Sequence, residues 1–342
     1  MKKVITIFAI ISGFQASAQD IHFSQTAETP LLINPAATGV YNGWERVQIN
    51  QRNQWLGAST QFSTSSLACD VNFLKTERNN NAHLGLGMFF YNDIGGDSKF
   101  GTQSGALSIS GILPVGGGHT LSAGLQAGFA MRSADLSRVL FESQINGTSF
   151  DPTLANGENA NVSSFKYADI SSGLYYQYDS EQSTFRRNNK MKFDIGAAVY
   201  HVNQPSFKYL GIPFDRLYSK LVFHTSYSQD IQGTDWAFDV SAVQFIQGPH
   251  FETILGGMGR YRFNTGSKIT GFNRDAYFGF GMYMRMKDAI IPRFSVDWKG
   301  MKMGISYDFT VSKLRKAYKG GSLEFSISYT NLQYGLLKRR RR

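Results

Sequence analysis

Long hydrophobic runs are missing from most of this chain. After residue 18, no apolar stretch reaches about 18 residues, which is near the minimum for a helix that crosses a bilayer. Hydrophobic residues make up 42% of the sequence, and the mean hydropathy is −0.25. These values exclude a membrane protein built from several transmembrane helices.

Cysteine is almost absent, since Cys69 is the only one in 342 residues. A single thiol excludes an intrachain disulfide framework and a zinc site built from clustered cysteines. Cys69 lies in the short run 67–71, where it fits as a small apolar residue of a strand. The stability of the folded chain is therefore expected to come from burial and strand pairing.

Motifs that carry catalytic chemistry are also missing. The sequence contains no His-Glu-x-x-His pair, no Gly-x-Ser-x-Gly elbow and no phosphate-binding Gly-x-x-x-x-Gly-Lys-Ser/Thr loop. We therefore predict no catalytic residue, no cofactor, no metal site and no enzymatic activity. An outer-membrane hydrolase with a dispersed Ser/His/Asp trio is the weaker alternative. The histidines are spread along the chain, at His22, His83, His119, His201, His224 and His250.

Acidic residues are outnumbered, and the formal net charge is +10. Arg339–Arg342 supply four of the positive charges at the C-terminal end. Binding of nucleic acid requires a basic face with stacking aromatic residues on a recognisable fold. A short tail offers neither, so we expect no nucleic-acid partner. Residues 336–342 are interpreted as a solvated basic tail.

The first residues have the three parts of a secretory leader. Lys2 and Lys3 form a positive start, Val4–Phe14 form a short apolar stretch, and Ala16 and Ala18 satisfy the small-x-small cleavage rule. We predict a signal peptide over residues 1–18 and a mature chain that starts at Gln19. A buried N-terminal strand or helix is the alternative.

The rest of the chain is rich in aromatic residues and glycine, and it alternates with a period of two. Aromatic residues reach 14%, and there are 35 glycines. Runs such as 323–330 alternate apolar with small or polar residues over lengths that suit tilted membrane strands better than soluble ones. The predicted fold is all-β, a transmembrane antiparallel up-and-down β-barrel over residues 44–335. A soluble secreted β-sandwich is the alternative.

About fourteen strands are predicted. An even number places both ends of the barrel on one side of the membrane, which for an exported chain is the periplasmic side. The polar connections 134–165 and 204–216 follow the fifth and seventh strands and should then be extracellular. The predicted strands are 44–56, 61–75, 82–94, 99–113, 118–133, 166–178, 191–203, 217–229, 234–247, 250–263, 272–286, 290–299, 301–312 and 322–334.

Several segments along the chain carry motifs. Residues 19–25 and 30–39 form an opening motif, 51–55 contain Arg-x-Gln-Trp in the first predicted strand, and 194–205 form a strand that ends in His-x-x-x-Pro. Residues 304–308 and 321–329 belong to the last two predicted strands. In this order, the segments resemble the entry motif and the corresponding strands of the PorP/SprF family of outer-membrane proteins linked to type IX secretion. The motif residues that we single out are Phe23, Gln25, Pro30, Asn34, Pro35, Gly39, Arg52, Trp55, His201 and Pro205.

Each motif also has a structural interpretation, which we favour over direct contact with a partner. Pro35 fixes a turn after Asn34, and Gly39 permits a reversal before the first strand. Residues 19–43 are expected to form either a periplasmic hook or a plug in the lumen. Arg52 is expected to face the lumen and Trp55 an interfacial aromatic belt. His201 and Pro205 are expected to shape a rim of the barrel.

The resemblance implies a function as well as a fold. It implies a non-enzymatic component of type IX secretion or gliding in the cell outer membrane, which assists the export or surface attachment of proteins such as adhesins. The implied partners are outer-membrane lipid, other type IX secretion components, and a secreted adhesin or its C-terminal domain. The alternative function is a general porin or small-solute channel, because a barrel of about fourteen strands can enclose a lumen.

Overall fold

A computed structural model shows a closed antiparallel β-barrel of fourteen strands in the part of the chain that it describes. It describes residues 20–55, 62–76, 81–96, 98–134, 142–147, 149–151, 153–155, 165–180, 190–209, 212–264, 275–312, 320–332 and 335. The barrel strands are β1 (Glu45–Gln54), β2 (Phe62–Phe73), β3 (His83–Gly95), β4 (Phe100–Gly116), β5 (His119–Ser133), β8 (Phe165–Asp179), β9 (Met191–Tyr200), β12 (Lys220–Asp230), β13 (Trp236–Gln247), β14 (His250–Asn264), β15 (Ala276–Arg285), β16 (Ala289–Trp298), β17 (Met301–Thr310) and β18 (Ser322–Thr330). The short pairs β6 (Ile145–Asn146) with β7 (Ser149–Phe150) and β10 (Ser206–Tyr209) with β11 (Ile212–Arg216) form small hairpins outside the barrel wall.

Each barrel strand pairs with the barrel strands that precede and follow it in the chain. The first strand, β1, closes the barrel by pairing with β18, with Arg46 opposite Thr330 and Gln54 opposite Ser322. Closure leaves no exposed strand edge in the wall. The prediction of an up-and-down barrel of about fourteen strands is confirmed. Each predicted strand overlaps an observed one, and most differences are at the ends. The eighth strand begins at Lys220 rather than at residue 217, and the last ends at Thr330 rather than at residue 334.

Side chains alternate between the two surfaces of the wall, as a period of two requires. On β5, Leu121, Leu125 and Phe129 are exposed on the outer surface, whereas Thr120 and Gln126 are buried on the inner one. On this strand apolar residues therefore cover the surface that meets lipid, and small or polar residues face the lumen. Elsewhere the inner surface also carries apolar residues, such as Val222, Phe245 and Ile254. No helix in the described ranges is long and apolar enough to cross a membrane.

The two ends of the barrel differ. At one end, which we call the turn mouth, β1 begins at Glu45 and β18 ends at Thr330. At the opposite end, which we call the loop mouth, β9 ends at Tyr200 and β12 begins at Lys220. Both small hairpins lie in connections at the loop mouth, because these connections join strands that end and start there. They are the connections 134–165 and 204–216.

Residues 20–44, which we call the N-terminal segment, lie inside the barrel. The segment contains two 3-10 turns, Thr26–Glu28 and Pro35–Ala37, and one helical turn, Pro30–Ile33. Asp20 contacts residues at the loop mouth, and Trp44 lies next to the first residue of β1 at the turn mouth. The segment therefore runs the length of the lumen.

Candidate functional site

Glycines on the inner surface of the wall form a groove that receives the middle of the N-terminal segment. A β-carbon added at Gly173 would lie 2.1 Å from Oδ1 of Asn34, and one at Gly124 would lie 2.5 Å from the backbone of Pro35 and Ala36. Such separations are below any ordinary van der Waals contact. The glycine groove, made by Gly85, Gly87, Gly124, Gly173 and Gly196, therefore fits the segment only because these positions lack side chains.

Asn34 fixes the segment in this groove. Its Nδ2 donates a hydrogen bond to the backbone oxygen of Leu174 at 2.9 Å and lies 3.0 Å from Nε2 of His224. Its Oδ1 accepts a bond from the backbone N–H of Ala36 at 2.9 Å. Asn34 is fully buried. The side chain thus both starts the turn Pro35–Ala37 and attaches it to the wall.

The end of the groove is fixed by Gly39 and Asp70. Gly39 has a φ of +73°, a conformation that glycine adopts without strain, and its N–H donates to Oδ2 of Asp70 at 2.8 Å. Arg46 donates to both carboxylate oxygens of Asp70, at 2.9 and 2.7 Å. The bidentate contact with Arg46 fixes the orientation of the Asp70 carboxylate, which in turn holds the backbone of the segment.

Near the loop mouth, four charged wall residues form what we call the ion cluster, namely Arg52, Arg285, Asp308 and Glu324. Arg52 lies 2.7 Å from Glu324 and 3.2 Å from Asp308, and Arg285 lies 2.7 Å from Asp308. All four side chains are buried. Buried charges of both signs are tolerated here because each one has a partner at hydrogen-bond distance.

The N-terminal segment is bound directly by the ion cluster. The backbone N–H groups of Ser24 and Gln25 donate to the carboxylate of Glu324 at 2.7 and 3.0 Å. The Ser24 hydroxyl donates to Asp308 at 2.7 Å and accepts from Arg52 at 3.0 Å. Glu324 therefore recognises backbone rather than a particular side chain.

Glu28 makes the next charged contact, deeper in the lumen. Its Oε1 lies 2.6 Å from Arg293 of β16 and 2.7 Å from Lys302 of β17. Burial alone would raise the pKa of Glu28, but the charges of Lys302 and Arg293 outweigh it and lower the pKa to about 2. Glu28 is thus ionised at any physiological pH.

A second cluster at the loop mouth holds Asp20. His201 lies between two carboxylates, with Nε2 2.5 Å from Asp20 and Nδ1 2.8 Å from Asp169, and Lys220 lies 3.5 Å from Asp20. Burial disfavours the charged imidazole, but the Asp20 charge and the bonds to both carboxylates raise the pKa of His201 to about 9. His201 is therefore a cation that joins the segment to the wall.

The stabilisation by His201 should depend on pH. A pKa raised from 6.5 to about 9 corresponds to about 3 kcal/mol. Because the pKa is raised in the folded state, the stabilisation is fully present below about pH 6.5. It declines as pH rises and is lost above about pH 9. We expect His201→Gln to lower the free energy of unfolding by about 3 kcal/mol at pH 6 and to have little pH-linked effect at pH 10. Urea unfolding of both proteins in lipid vesicles measures this.

The comparison carries its own control. His201 has a φ of +56°, so any backbone penalty of the glutamine is the same at every pH and cancels in the pH dependence. A difference between wild type and His201→Gln that stays constant from pH 6 to pH 10 would contradict the charged assignment.

The predicted motif residues fall into two groups. Phe23, Gln25, Asn34, Pro35, Gly39, Arg52 and His201 are buried and lie in or against the N-terminal segment. Pro30 opens the helical turn, Trp55 lies just beyond the end of β1 with a φ of +60°, and Pro205 is half-buried at the loop mouth. The Trp55 ring packs edge-on against Phe62 at 5.0 Å. The predicted cleavage residues Ala16, Ala18 and Gln19 lie outside the described residues.

Sequence reasoning missed most of the charged partners. Glu28, Arg285, Arg293, Asp308 and Glu324 all lie in the site. All but Glu28 lie on alternating strands that carry only one or two charged residues each, and that placement was the available signal. Within the described ranges, no group of three or more His, Cys, Asp or Glu residues could hold a metal ion.

Comparisons with known proteins give the family. The model of the type IX secretion system membrane protein PorP/SprF family matches residues 15–329. No curated protein matches. Among solved structures, the translocator domain of the autotransporter NalP from Neisseria meningitidis is 9% identical, with a TM-score of 0.41 over 86% of this chain and 90% of that one. The CymD monoaromatic hydrocarbon channel is 13% identical, with a TM-score of 0.45 over 91% and 94%. BamA from Haemophilus ducreyi is 9% identical, with a TM-score of 0.44 over 84% and 70%.

The family match and the closed barrel both indicate a membrane protein of the outer-membrane β-barrel class. The match extends from before the N-terminal segment to the last strand, so it includes both the lumen segment and its wall. A barrel with an apolar outer surface belongs in an outer membrane. This chain is an outer-membrane β-barrel that belongs to the PorP/SprF family of type IX secretion system membrane proteins.

Proposed function

We propose that this protein is a non-enzymatic platform in the type IX secretion or gliding machinery, which assists the export or surface attachment of partner proteins such as adhesins. The observation that supports a platform is the filled lumen. Residues 20–40 run through it and are bonded to the wall at both ends and in the middle. A conduit for solutes would need this space.

The loop mouth offers the surface for a secreted partner. The connections 134–165 and 204–216 extend the wall there, each with a small hairpin in its described part. We assign this mouth to the cell exterior, since long barrel loops usually lie there. A secreted adhesin, or its C-terminal domain, would be held by these connections. The basic tail 336–342 and the turn mouth would face other secretion components in the periplasm.

Copurification tests the platform. The tagged protein, extracted from native membrane, should bring down type IX secretion components and a surface protein, identified by mass spectrometry. Replacing the connection 134–165 by a short turn should lose the surface protein and keep the periplasmic components. Unchanged adhesin secretion and attachment in a strain that lacks the gene would contradict the proposal.

A general porin differs in the lumen. A porin conducts ions steadily across a planar bilayer, whereas the filled barrel should conduct little.

Enzymatic activity is tested separately by lipase and protease assays of the purified protein, with His119→Ala and His224→Ala as reference variants. Steady wild-type conductance would favour the porin, and histidine-dependent turnover would favour an enzyme.

A further inference from the structure

The N-terminal segment has two parts with different kinds of contact. Residues 30–40, the anchor, bury Leu31, Ile33, Ala36 and Val40 and lie largely in the glycine groove. Leu31 packs against Ala68 and Phe89 of the wall. Because the apolar side chains of the anchor are buried and fit the groove closely, the anchor can leave only as a whole, with loss of all these contacts. We therefore expect the wall to hold the anchor firmly.

Residues 20–29, the latch, are held mainly by polar contacts. Phe23 is the buried large apolar residue of this part, and Ser24, Gln25, Thr26, Glu28 and Thr29 are the buried polar ones. The wall partners of Ser24, Gln25 and Glu28 are carboxylates, guanidinium groups and hydroxyls. Polar contacts can be replaced by water or by an equivalent ligand at small net cost.

The ion cluster does not depend on the latch for its charge balance. Arg52 pairs with Asp308 and Glu324, and Arg285 pairs with Asp308, all within the wall. If the latch left, these four charges would still be paired. The cluster would keep a Glu324 carboxylate that accepts backbone N–H groups.

Arg293 and Lys302 are different. In the described part of the chain, Glu28 supplies the carboxylate within ion-pair distance of either one, at 2.6 and 2.7 Å. Without the latch, two neighbouring cations of the wall would lose that carboxylate. Arg293 is buried, whereas the Lys302 side chain is 35% exposed. Leaving a buried cation unpaired is costly, so release of the latch is favoured only when another anion takes the place of Glu28 beside Arg293.

We propose that the surface beneath the latch is a binding site for an acidic peptide segment of a partner protein, which displaces residues 20–29. The site consists of the ion cluster, which includes Glu324, together with Arg293 and Lys302. In the partner peptide, two successive backbone N–H groups would bind Glu324, as those of Ser24 and Gln25 do. A carboxylate three residues after the second of them would bind Arg293 and Lys302, as Glu28 does. This rests on the proposed platform function and names the chemistry of the partner.

A peptide with the sequence of residues 20–30 is the first probe, and the same peptide with Glu28→Gln is its matched control. Binding to the full-length protein in detergent micelles needs no secretion, so this test is separate from the platform test. We expect the acidic peptide to bind about tenfold more tightly than the control, because the control peptide lacks the charge-assisted contact made by Glu28. Lys302→Gln in the protein should reduce the difference in affinity between the two peptides. Equal binding of the two peptides, or no binding of either, would overturn the proposal.

Thiol labelling tests release of the latch directly. In a Cys69→Ser background, Ser24→Cys lies in the latch and Thr38→Cys in the anchor, and both positions are buried, with relative exposures of 4% and 0%. We expect a maleimide to label the Ser24→Cys thiol about tenfold faster, and the acidic peptide to accelerate it further, because only the latch opens locally. Equal labelling rates, or protection of the Ser24→Cys thiol by the peptide, would overturn displacement of the latch.

Discussion

Replacing Arg52 by methionine is expected to lower the free energy of unfolding by about 3 to 5 kcal/mol, the usual cost of removing one partner from a buried ion pair. Arg52 is 4% exposed and lies 2.7 Å from Glu324. Asp308 would keep Arg285 as its partner, but Glu324 would lose the cation that pairs with it. Urea unfolding in phospholipid vesicles, followed by tryptophan fluorescence, measures the loss.

Arg260→Met is the matched control. Arg260 of β14 lies 2.7 Å from Asp239 of the adjacent strand β13, but the two side chains are 19% and 29% exposed. A pair that water reaches contributes about 1 kcal/mol or less. If Arg52→Met and Arg260→Met cost the same, the ion cluster has no special role in stability.

Glu324→Gln in the Arg52→Met background separates charge from packing. The double variant removes the unpaired carboxylate but keeps an oxygen that can accept one backbone N–H from the segment. We expect it to be more stable than Arg52→Met alone. A further loss would indicate that Arg52 acts through its packing rather than through Glu324.

The barrel could be predicted from sequence because alternation is a local signal. Runs such as 301–310 and 322–330 carry apolar and polar residues on opposite faces, and a strand has only two faces. Pairing of β1 with β18 then follows from an even strand number and from closure. The ends of strands are harder to predict: the predicted first strand, 44–56, includes Trp55, but Trp55 has a left-handed φ and lies just beyond the end of β1.

The lumen contacts could not be predicted in the same way. Glu28 and Lys302 are far apart in sequence, and which inward residues meet depends on the register and tilt of the barrel. Gly124 and Gly173 were indistinguishable from outward glycines such as Gly111 until the facing segment was placed. His201 was expected at a rim, but its two carboxylate partners come from residues 20 and 169.

Gly173→Val should dislodge the N-terminal segment from its groove. The new β-carbon would lie 2.1 Å from Oδ1 of Asn34 and 3.2 Å from the backbone oxygen of Ala197, so Asn34 has to move. That movement breaks its bonds to Leu174 and Ala36. Overpacking of this kind costs about 1 to 3 kcal/mol or more. We expect a less stable barrel and, because the segment fills the lumen, a rise in ion conductance across a planar bilayer.

Gly111→Val provides the control for this change. Gly111 lies on the outer surface of β4, and an added β-carbon there would meet nothing within 4 Å. Both variants place the same β-branched side chain in a strand, where it is favoured over glycine. They differ only in the face that receives it. Gly111→Val should therefore keep the stability and the low conductance of the wild type. If Gly173→Val behaves like Gly111→Val in both measurements, the groove does not hold the segment, and the lumen must be closed by other residues.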